Sequence, residues 1–256
     1  MDFGSALRGR RILITGASSG LGMHFARLSA RQGAKVAIAA RRRERLEDLC
    51  KELLALGAER ALASTLDVSD ETSIDACIAD VVEAFDGLDV LVNNAGTASG
   101  GTALDQTAED FDQVVNVNLR GVWLLSTAAG RHWRDTATPG AIVNIASILG
   151  ERVAKGVAPY AISKAGVVQM TKVLALELSR HDIRVNAIAP GYFETEINAG
   201  FFDTPQGAAM IKRIPMRRTG KPEELDGPFI LLASDASRYM TGAVIPVDGG
   251  HLVSSL

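Results

Sequence analysis

Residues 11–28 read RILITGASSGLGMHFARL, and this stretch decides the fold class. The apolar, β-branched run at 11–15 predicts a buried strand, and the residues from 20 onward have the spacing of an amphipathic helix. Gly16, Gly20 and Gly22 lie in the turn between them, and glycine permits the backbone angles that a tight turn requires. The stretch is therefore typical of the first strand–turn–helix unit of an α/β protein.

The same alternation continues along the chain. Further short apolar runs predict strands at 35–40, 60–65, 88–93, 140–147, 183–189 and 243–247. Helical patterns are predicted at 20–32, 42–56, 70–86, 107–132, 159–180 and 222–234. Strand–helix alternation indicates a parallel sheet covered on both faces, so we expect an α/β, Rossmann-type doubly wound sheet of seven strands flanked by helices. No linker or repeat divides residues 1–256, which predicts one domain.

The composition is that of an ordinary globular protein, with 47% apolar residues, 22% charged residues and a net charge of −3. A slightly acidic balance gives no support for binding nucleic acid or an anionic membrane. The N-terminal residues lack the apolar stretch of a signal peptide, and no apolar run approaches the ~18–20 residues of a membrane span. Neither the two cysteines nor the four histidines have metal-ligand spacing. We therefore expect a cytoplasmic protein with reduced thiols and no metal.

The glycine turn has a functional interpretation. At a strand–helix junction, glycines let backbone N–H groups approach a pyrophosphate at the helix N-terminus. The spacing here is G-x-x-x-G-x-G rather than the common G-x-G-x-x-G, and a purely structural turn is the alternative. The position of the turn favours a dinucleotide site, with expected contacts from Gly16, Ser18, Ser19, Gly20, Leu21 and Gly22.

The end of the second strand predicts which dinucleotide is bound. Sites of this type usually carry an acidic residue there, on the ribose hydroxyls, but this chain has Ala40 followed by Arg41, Arg42 and Arg43. Guanidinium groups bind phosphate in bidentate fashion, so we expect NADP(H) to be favoured over NAD(H), with Arg41 and Arg42 on the 2′-phosphate. The alternative is a solvated helix start, although cations oppose the dipole at a helix N-terminus.

Two further segments end predicted strands at the edge where ligands of open α/β sheets bind. In LDVS (66–69), Asp67 could accept a hydrogen bond from an adenine amino group, beside Val68, or it could instead cap the following helix. In NNAG (93–96), the segment is expected to line the cofactor channel with Asn93, Asn94, Ala95 and Gly96.

Tyr160 and Lys164 lie four residues apart on one predicted helix and therefore on one face. Pro159 fits the first position of that helix, which places the phenol at its positive end. Because an ammonium group and a helix N-terminus both favour a phenolate, we expect the pKa of Tyr160 to fall from ~10 toward neutrality, as a general acid/base requires. Ser147, at the end of the fifth strand, could hydrogen-bond the same substrate oxygen. Asn118 could hold a water that links Lys164 to solvent.

Taken together, TGASSGLG (15–22), NNAG (93–96), Asn118, Ser147, YAISK (160–164) and Pro190-Gly191 resemble the short-chain dehydrogenase/reductase family, over essentially the whole chain. The chain is similar to the 3-oxoacyl-(acyl-carrier-protein) reductase-like members. The resemblance implies hydride transfer between NADP(H) and a carbonyl or secondary alcohol, with a catalytic tetrad. In it, the tyrosine is the acid/base, the serine orients substrate, the lysine holds the ribose and tunes the tyrosine, and the asparagine anchors a relay water.

The resemblance has further implications. Pro190, Gly191, Phe193 and Thr195 should contact the nicotinamide end of the cofactor, to which Tyr160 and Lys164 also belong. Members usually form homotetramers, partly through the helix of the tyrosine and lysine, so a homotetramer or homodimer is expected. Apolar residues spread around that helix agree, because such a helix needs a partner besides its own sheet. One departure from the family is Ala146, where many relatives carry a second serine.

The substrate is left open by the sequence. A 3-oxoacyl thioester and a sugar, steroid or other cyclic ketone are all compatible, and the alternatives are an NAD(H)-dependent alcohol or sugar dehydrogenase and a non-catalytic cofactor-binding sensor or scaffold. The long irregular stretch at about 190–220 is predicted to be a substrate lid, with a small helical insertion as the alternative. Its aromatic and aliphatic residues lean weakly toward an apolar substrate.

Overall fold

A computed structural model describes residues 5–194 and 200–254, and it has the predicted seven-stranded parallel sheet in the order β3-β2-β1-β4-β5-β6-β7. The strands are β1 Arg11–Thr15, β2 Lys35–Ala40, β3 Arg60–Thr65, β4 Val90–Asn93, β5 Gly140–Ile145, β6 Ile183–Pro190 and β7 Val244–Val247. Each was predicted to within two residues at either end. The α/β, doubly wound, single-domain fold is thus confirmed.

Eight α-helices are described: α1 Gly20–Arg31, α2 Arg43–Ala55, α3 Glu71–Phe85, α4 Ala108–Val115, α5 Gly121–Thr136, α6 Ala158–Leu178, α7 Pro205–Ile211 and α8 Asp226–Ala233. The helix predicted at 107–132 differs most, because it contains a π-helical turn at Asn116–Arg120 between α4 and α5 and continues to residue 136. Helix α6 begins at Ala158, so Pro159 does not hold its first position as predicted. The stretch at 190–220 contains α7, as the helical-insertion alternative anticipated.

Successive side chains of a strand lie on opposite faces of the sheet. In β1, Ile12 and Ile14 belong to the apolar layer of α1, α2 and α8, whereas Leu13 belongs to the layer of α3, α5 and α6. All three side chains are fully buried. Strands buried on both faces explain the nearly continuous apolar runs of the sequence.

The strand order reverses between β1 and β4, since β2 and β3 extend the sheet on one side and β5, β6 and β7 extend it on the other. At such a switch point the loops that follow the two strands diverge and leave a crevice at the carboxyl edge. The glycine turn follows β1 and the NNAG segment follows β4. The topology therefore brings these two motifs to one crevice.

Candidate active site

The glycine turn is held tightly against the end of β4. Gly16 has a positive φ of 65°, and a Cβ there would lie 2.7 Å from Cα of Ala95. The Asn94 amide donates to the carbonyl oxygens of Thr15 at 2.9 Å and Gly16 at 3.3 Å. A Cβ on Gly22 would collide with that amide. Glycine is therefore required at both positions by the packing of the turn itself.

The N-terminus of α1 is open toward this crevice. Its N-cap residue, Ser19, makes no side-chain capping bond, and no acidic residue lies in the first turn. Gly20 also has a positive φ, and Leu21 packs against the apolar layer of α1. An uncapped helix N-terminus offers unsatisfied N–H groups and a partial positive charge, which suit a pyrophosphate. The residues present thus fit a dinucleotide phosphate.

The arginines after β2 lie beside the turn. Arg42 donates through Nη2 to the hydroxyl of Ser18 at 3.1 Å, and both Arg41 and Arg42 are exposed. Within the described part of the chain neither forms an ion pair, whereas Arg43 pairs with Glu47 at 2.8 Å. Two of the three guanidinium groups therefore lie beside the glycine turn without an ion pair among the described residues.

Asp67 does not cap α3, so the capping alternative is wrong. The N-cap is Asp70, which accepts from the Thr72 amide at 3.0 Å. Asp67 instead accepts from the hydroxyl and the amide of Ser69, and these hydrogen bonds, followed by the charge of Arg41, hold its pKa below the usual value. Its carboxylate lies near the exposed arginines, whereas the neighbouring Val68 is buried.

Asn93 does not line a cofactor channel, contrary to expectation. Its amide nitrogen donates to the Ser126 hydroxyl and to Asn144 Oδ1, both at 2.9 Å, and Asn144 in turn donates to Thr171 at 2.9 Å. All four side chains are buried. Asn93 is therefore part of a polar network behind the sheet edge, while Asn94, Ala95 and Gly96 reach the crevice.

Lys164 is buried directly below the crevice. Its Nζ donates to the carbonyl oxygen of Ile145, the last residue of β5, at 2.7 Å and lies 5.6 Å from the centroid of the Tyr160 ring. A Cβ placed on Gly96 would lie 3.9 Å from that Nζ and 3.4 Å from Oδ1 of Asn118. Gly96 therefore leaves a space that these two polar side chains border.

Asn118 lies in the π-helical turn, and its side chain is held from two directions. Oδ1 accepts from the Thr97 amide and Nδ2 donates to the Thr97 carbonyl, both at 2.8 Å. Nδ2 also donates to Ser163, whose hydroxyl donates to the carbonyl oxygen of Tyr160 at 2.7 Å. Neither Ser163 nor the π turn was anticipated, although Ser163 stands inside the YAISK motif. Asn118 thus connects the NNAG loop to the helix of Tyr160.

Ser147 begins a turn just after β5, where its hydroxyl accepts from the Leu149 amide at 3.1 Å. The structure thus brings together Ser147, Tyr160, Lys164 and Asn118, which lie up to 46 residues apart along the chain, at the carboxyl end of β5.

The family model described as enoyl-(acyl carrier protein) reductase matches residues 16–251. A 3-oxoacyl-(acyl-carrier-protein) reductase of Thermotoga maritima is 40% identical over 247 residues, which cover 96% of this chain and 99% of that protein. A 5-keto-D-gluconate 5-reductase of Escherichia coli is 36% identical over 250 residues, 97% of this chain and 98% of the other. A gluconate 5-dehydrogenase structure from Burkholderia cenocepacia, in complex with NADP and tartrate, superimposes with a TM-score of 0.93 at 35% identity and covers 99% of both chains.

The chain belongs to the short-chain dehydrogenase/reductase family. It is accordingly an oxidoreductase that acts on a carbonyl or alcohol with a nicotinamide cofactor. Among the described residues, no cluster of three or more His, Cys, Asp or Glu side chains could hold a metal ion. No helix within the same ranges is both long and apolar enough to cross a membrane.

The nicotinamide end of a short-chain dehydrogenase site is expected just after β6, which ends at Pro190. A Cβ on Gly191 would lie 2.7 Å from Asp248, so the two segments touch. The side chain of Phe193 is buried in the apolar layer of α1 and packs on Gly220, with which the residue also forms an isolated parallel bridge. Thr195 lies outside the described residues.

The expectation that the pKa of Tyr160 falls toward neutrality is wrong for the protein chain by itself. Burial raises that pKa above its usual value, while a hydrogen bond with Ser147 opposes the rise and the nearby phenol of Tyr192 adds to it. Burial also lowers the pKa of Lys164, to about 8, since the charged ammonium loses its hydration. In this short-chain dehydrogenase, the phenol is therefore protonated at neutral pH and lies next to a lysine whose pKa is about 8.

The titration of Lys164 predicts a pH profile. Below about pH 8 the ammonium is charged and can stabilise the phenolate that forms when Tyr160 gives up its proton. We expect kcat/KM for ketone reduction to be level from about pH 6 to 7.5 and to fall roughly tenfold per unit above about pH 8. Steady-state assays at saturating cofactor measure this.

Lys164→Arg is the matched control for this profile, because a guanidinium keeps its charge to pH ~12 or beyond. Its rate is expected to be lower, but the fall above pH 8 should disappear. A wild-type profile that stays level to about pH 9.5 would contradict the assignment of the titration to Lys164.

Proposed function

We propose that this protein interconverts a ketone and a secondary alcohol with NADP(H), using Tyr160 as the general acid and base. The observation that carries the proposal is the convergence of three groups at the carboxyl end of β5. The Ser147 hydroxyl forms a hydrogen bond with the phenol of Tyr160. The Lys164 ammonium donates to the carbonyl oxygen of Ile145 at 2.7 Å, and its nitrogen lies 5.6 Å from the centroid of the phenol ring.

Each side chain has a separate role in the reduction. When bound, the nicotinamide supplies a hydride to the carbonyl carbon. Tyr160 donates its proton to the carbonyl oxygen, Ser147 donates a hydrogen bond to that same oxygen, and the charge of Lys164 stabilises the phenolate left behind. We assign Asn118 to a relay water. Its bonds to Thr97 and Ser163 also hold the helix of Tyr160 in place.

The preference for NADP(H) over NAD(H) rests on Arg41 and Arg42. Both are exposed beside the glycine turn, and Arg42 already reaches Ser18 of that turn. We assign both guanidinium groups to the 2′-phosphate and Asp67 to the adenine. The remaining cofactor contacts are assigned to the glycine turn, to Val68, to the segment 94–96, and to Pro190, Gly191 and the backbone of Phe193.

The relatives point to two substrate classes for the same chemistry. One is named a 3-oxoacyl-(acyl-carrier-protein) reductase and the other a 5-keto-D-gluconate 5-reductase, and the solved relative is a complex with NADP and tartrate. We propose that residues 190–220 act as a lid over the substrate. The edge-to-face contacts of Phe202 with Tyr192 and with Phe201, at ring distances of 6.4 and 5.5 Å, support an apolar part of that wall.

We further propose a homotetramer, or at least a homodimer, in the cytoplasm. Ile162, Val173 and Leu176 are exposed along one stripe of α6, because residues 11 and 14 positions apart lie within about 60° on a helix. Phe111 and Trp123, in the neighbouring α4 and α5, are exposed as well. Exposed apolar side chains on neighbouring helices suit an association surface, and a second copy is its proposed partner.

Tyr160→Phe tests the chemical proposal. The substitution removes one hydroxyl and leaves the ring, so turnover should fall about a thousandfold or more, whereas the dissociation constant of NADPH should change less than about threefold. Tyr239→Phe, at a fully exposed position, is the matched control and should leave both quantities unchanged. Substantial residual turnover in Tyr160→Phe would remove the phenol from the mechanism.

Arg41→Ala combined with Arg42→Ala tests the cofactor proposal. We expect NADPH to bind roughly ten- to a hundredfold more weakly, because charge-assisted hydrogen bonds to the phosphate are lost, while NADH binding changes little. Nicotinamide fluorescence titration measures both constants. Arg43→Ala is the control, since Arg43 is occupied by Glu47. Equal losses for the two cofactors would mean that the pair does not read the 2′-phosphate.

Val173→Glu combined with Leu176→Glu tests the assembly. Light scattering of the wild type at micromolar concentration should give the mass of a tetramer or dimer, and the double variant should give a smaller species, because two carboxylates would be buried at the interface. Leu54→Glu, on an exposed part of α2, should leave the mass unchanged. A wild-type monomer would contradict the proposed assembly.

A further inference from the structure

Next to the phenol of Tyr160 is a second tyrosine that the chemistry above does not use. Tyr192 is close enough to contribute to the raised pKa of Tyr160, and its ring lies 5.5 Å from the ring of His251. Burial raises the pKa of Tyr192, so its hydroxyl is neutral and can donate a hydrogen bond. The wall on this side of the reacting centre is thus made from the loop after β6 and the segment 251–254.

Arg152 also belongs to this wall. It lies five residues after Ser147, and its backbone amide donates to the carbonyl of Ile148 at 2.7 Å. Its Nη1 donates to the carbonyl of His251 and to the Ser254 hydroxyl, the latter at 3.1 Å. The side chain therefore ties the segment 251–254 to the loop that carries Ser147.

Half of the Arg152 guanidinium has no hydrogen-bond partner among residues 5–194 and 200–254. No acceptor among the described residues bonds to Nε or Nη2, and within those residues Arg152 makes no ion pair. Its charge nevertheless acts on Tyr192 and on His251. Nε and Nη2 form the side of the guanidinium that binds a carboxylate through two parallel hydrogen bonds.

The charges that act on His251 come from Arg152, Asp248 and Arg213. His251 is 5% exposed, its Nδ1 has no hydrogen-bond partner, and burial together with the charge of Arg152 lowers its pKa, so it is neutral at pH 7. Asp248 is the carboxylate that acts on His251, and its oxygens already accept from the amides of Gly250 and Leu252 at 2.8 and 2.5 Å. Arg213 contributes a second positive charge nearby.

We propose that Arg152, with Tyr192 and His251, forms a subsite for a carboxylate of the substrate, so that the protein reduces keto acids or oxidises hydroxy acids. This assignment rests on the proposed function, because it takes Tyr160 as the position of the reacting carbonyl. Arg152 supplies the charge and the bidentate hydrogen bonds, and Tyr192, which interacts with both Tyr160 and His251, supplies a donor. A thioester or steroid ketone without an acidic group would leave this partly buried cation without an anionic partner.

The test compares keto acids with their methyl esters, which carry the same ketone and no charge. The probes are 4-oxopentanoate, 5-oxohexanoate and 6-oxoheptanoate, each with its ester, so that the chain length also reports the distance from the ketone to the subsite. For at least one length, kcat/KM should favour the acid over its ester by tenfold or more. Arg152→Gln should lower this ratio at least tenfold, and Arg152→Lys, which keeps the charge, should restore part of it.

Arg180→Gln is the matched control, since Arg180 is exposed after α6, and it should leave the ratio unchanged. Thermal melting of each variant establishes that it is folded. A ratio near one in the wild type, or a ratio that Arg152→Gln does not change, would overturn the subsite while leaving the proposed reductase function intact.

Calorimetric titration of the same probes into the protein saturated with NADP⁺ does not depend on turnover. The acids should bind more tightly than the esters, and Arg152→Gln should remove the difference. If the acids bind selectively but no ketone is reduced, the proposed function fails and the subsite stands. If neither acids nor esters bind, the subsite is wrong.

Discussion

The close approach of the glycine turn to the end of β4 is the constraint on which the rest of the site depends. The hydroxyl of Thr15 accepts from the backbone amides of Asn94 and Ala95, both at 3.1 Å, and the Asn94 amide returns two bonds to the turn. Such contact is possible because Gly16 and Gly22 carry no Cβ. These contacts fix the N-terminus of α1 relative to the loop of Gly96, and hence the phosphate end of the site relative to Lys164.

The second constraint is the burial of one cation. Removing Lys164 from water costs free energy, which is why its pKa falls to about 8. The backbone carbonyl oxygen of Ile145 accepts a hydrogen bond from its Nζ at 2.7 Å. The chain retains this lysine although an apolar residue would pack at lower cost. Folding stability does not explain such a choice. A charge held near a phenol whose own pKa is raised does explain it, because the charge acts most strongly when that phenol loses its proton.

The short-range parts of this structure were predictable, and the long-range parts were not. Strands buried on both faces produce apolar runs, and the turn after β1 needs its glycines locally, so both are visible in the sequence. The position of Asn93 was mistaken because its partners, Ser126 and Asn144, are 33 and 51 residues away. The π turn at Asn118 and the raised pKa of Tyr160 also depend on tertiary packing, which no local pattern encodes.

The cofactor half and the substrate half of the site also differ in how far they could be predicted from the sequence. The cofactor half consists of a turn, a helix N-terminus and strand ends that topology alone brings together, so one motif can serve many relatives. The substrate half joins Arg152 to a segment 99 to 102 residues further along the chain, and Tyr192 to the ring of His251. These substrate-half residues can be exchanged without disturbing the contacts between the glycine turn and the end of β4. This separation explains how relatives with the same fold are named for substrates as different as acyl thioesters and keto sugar acids.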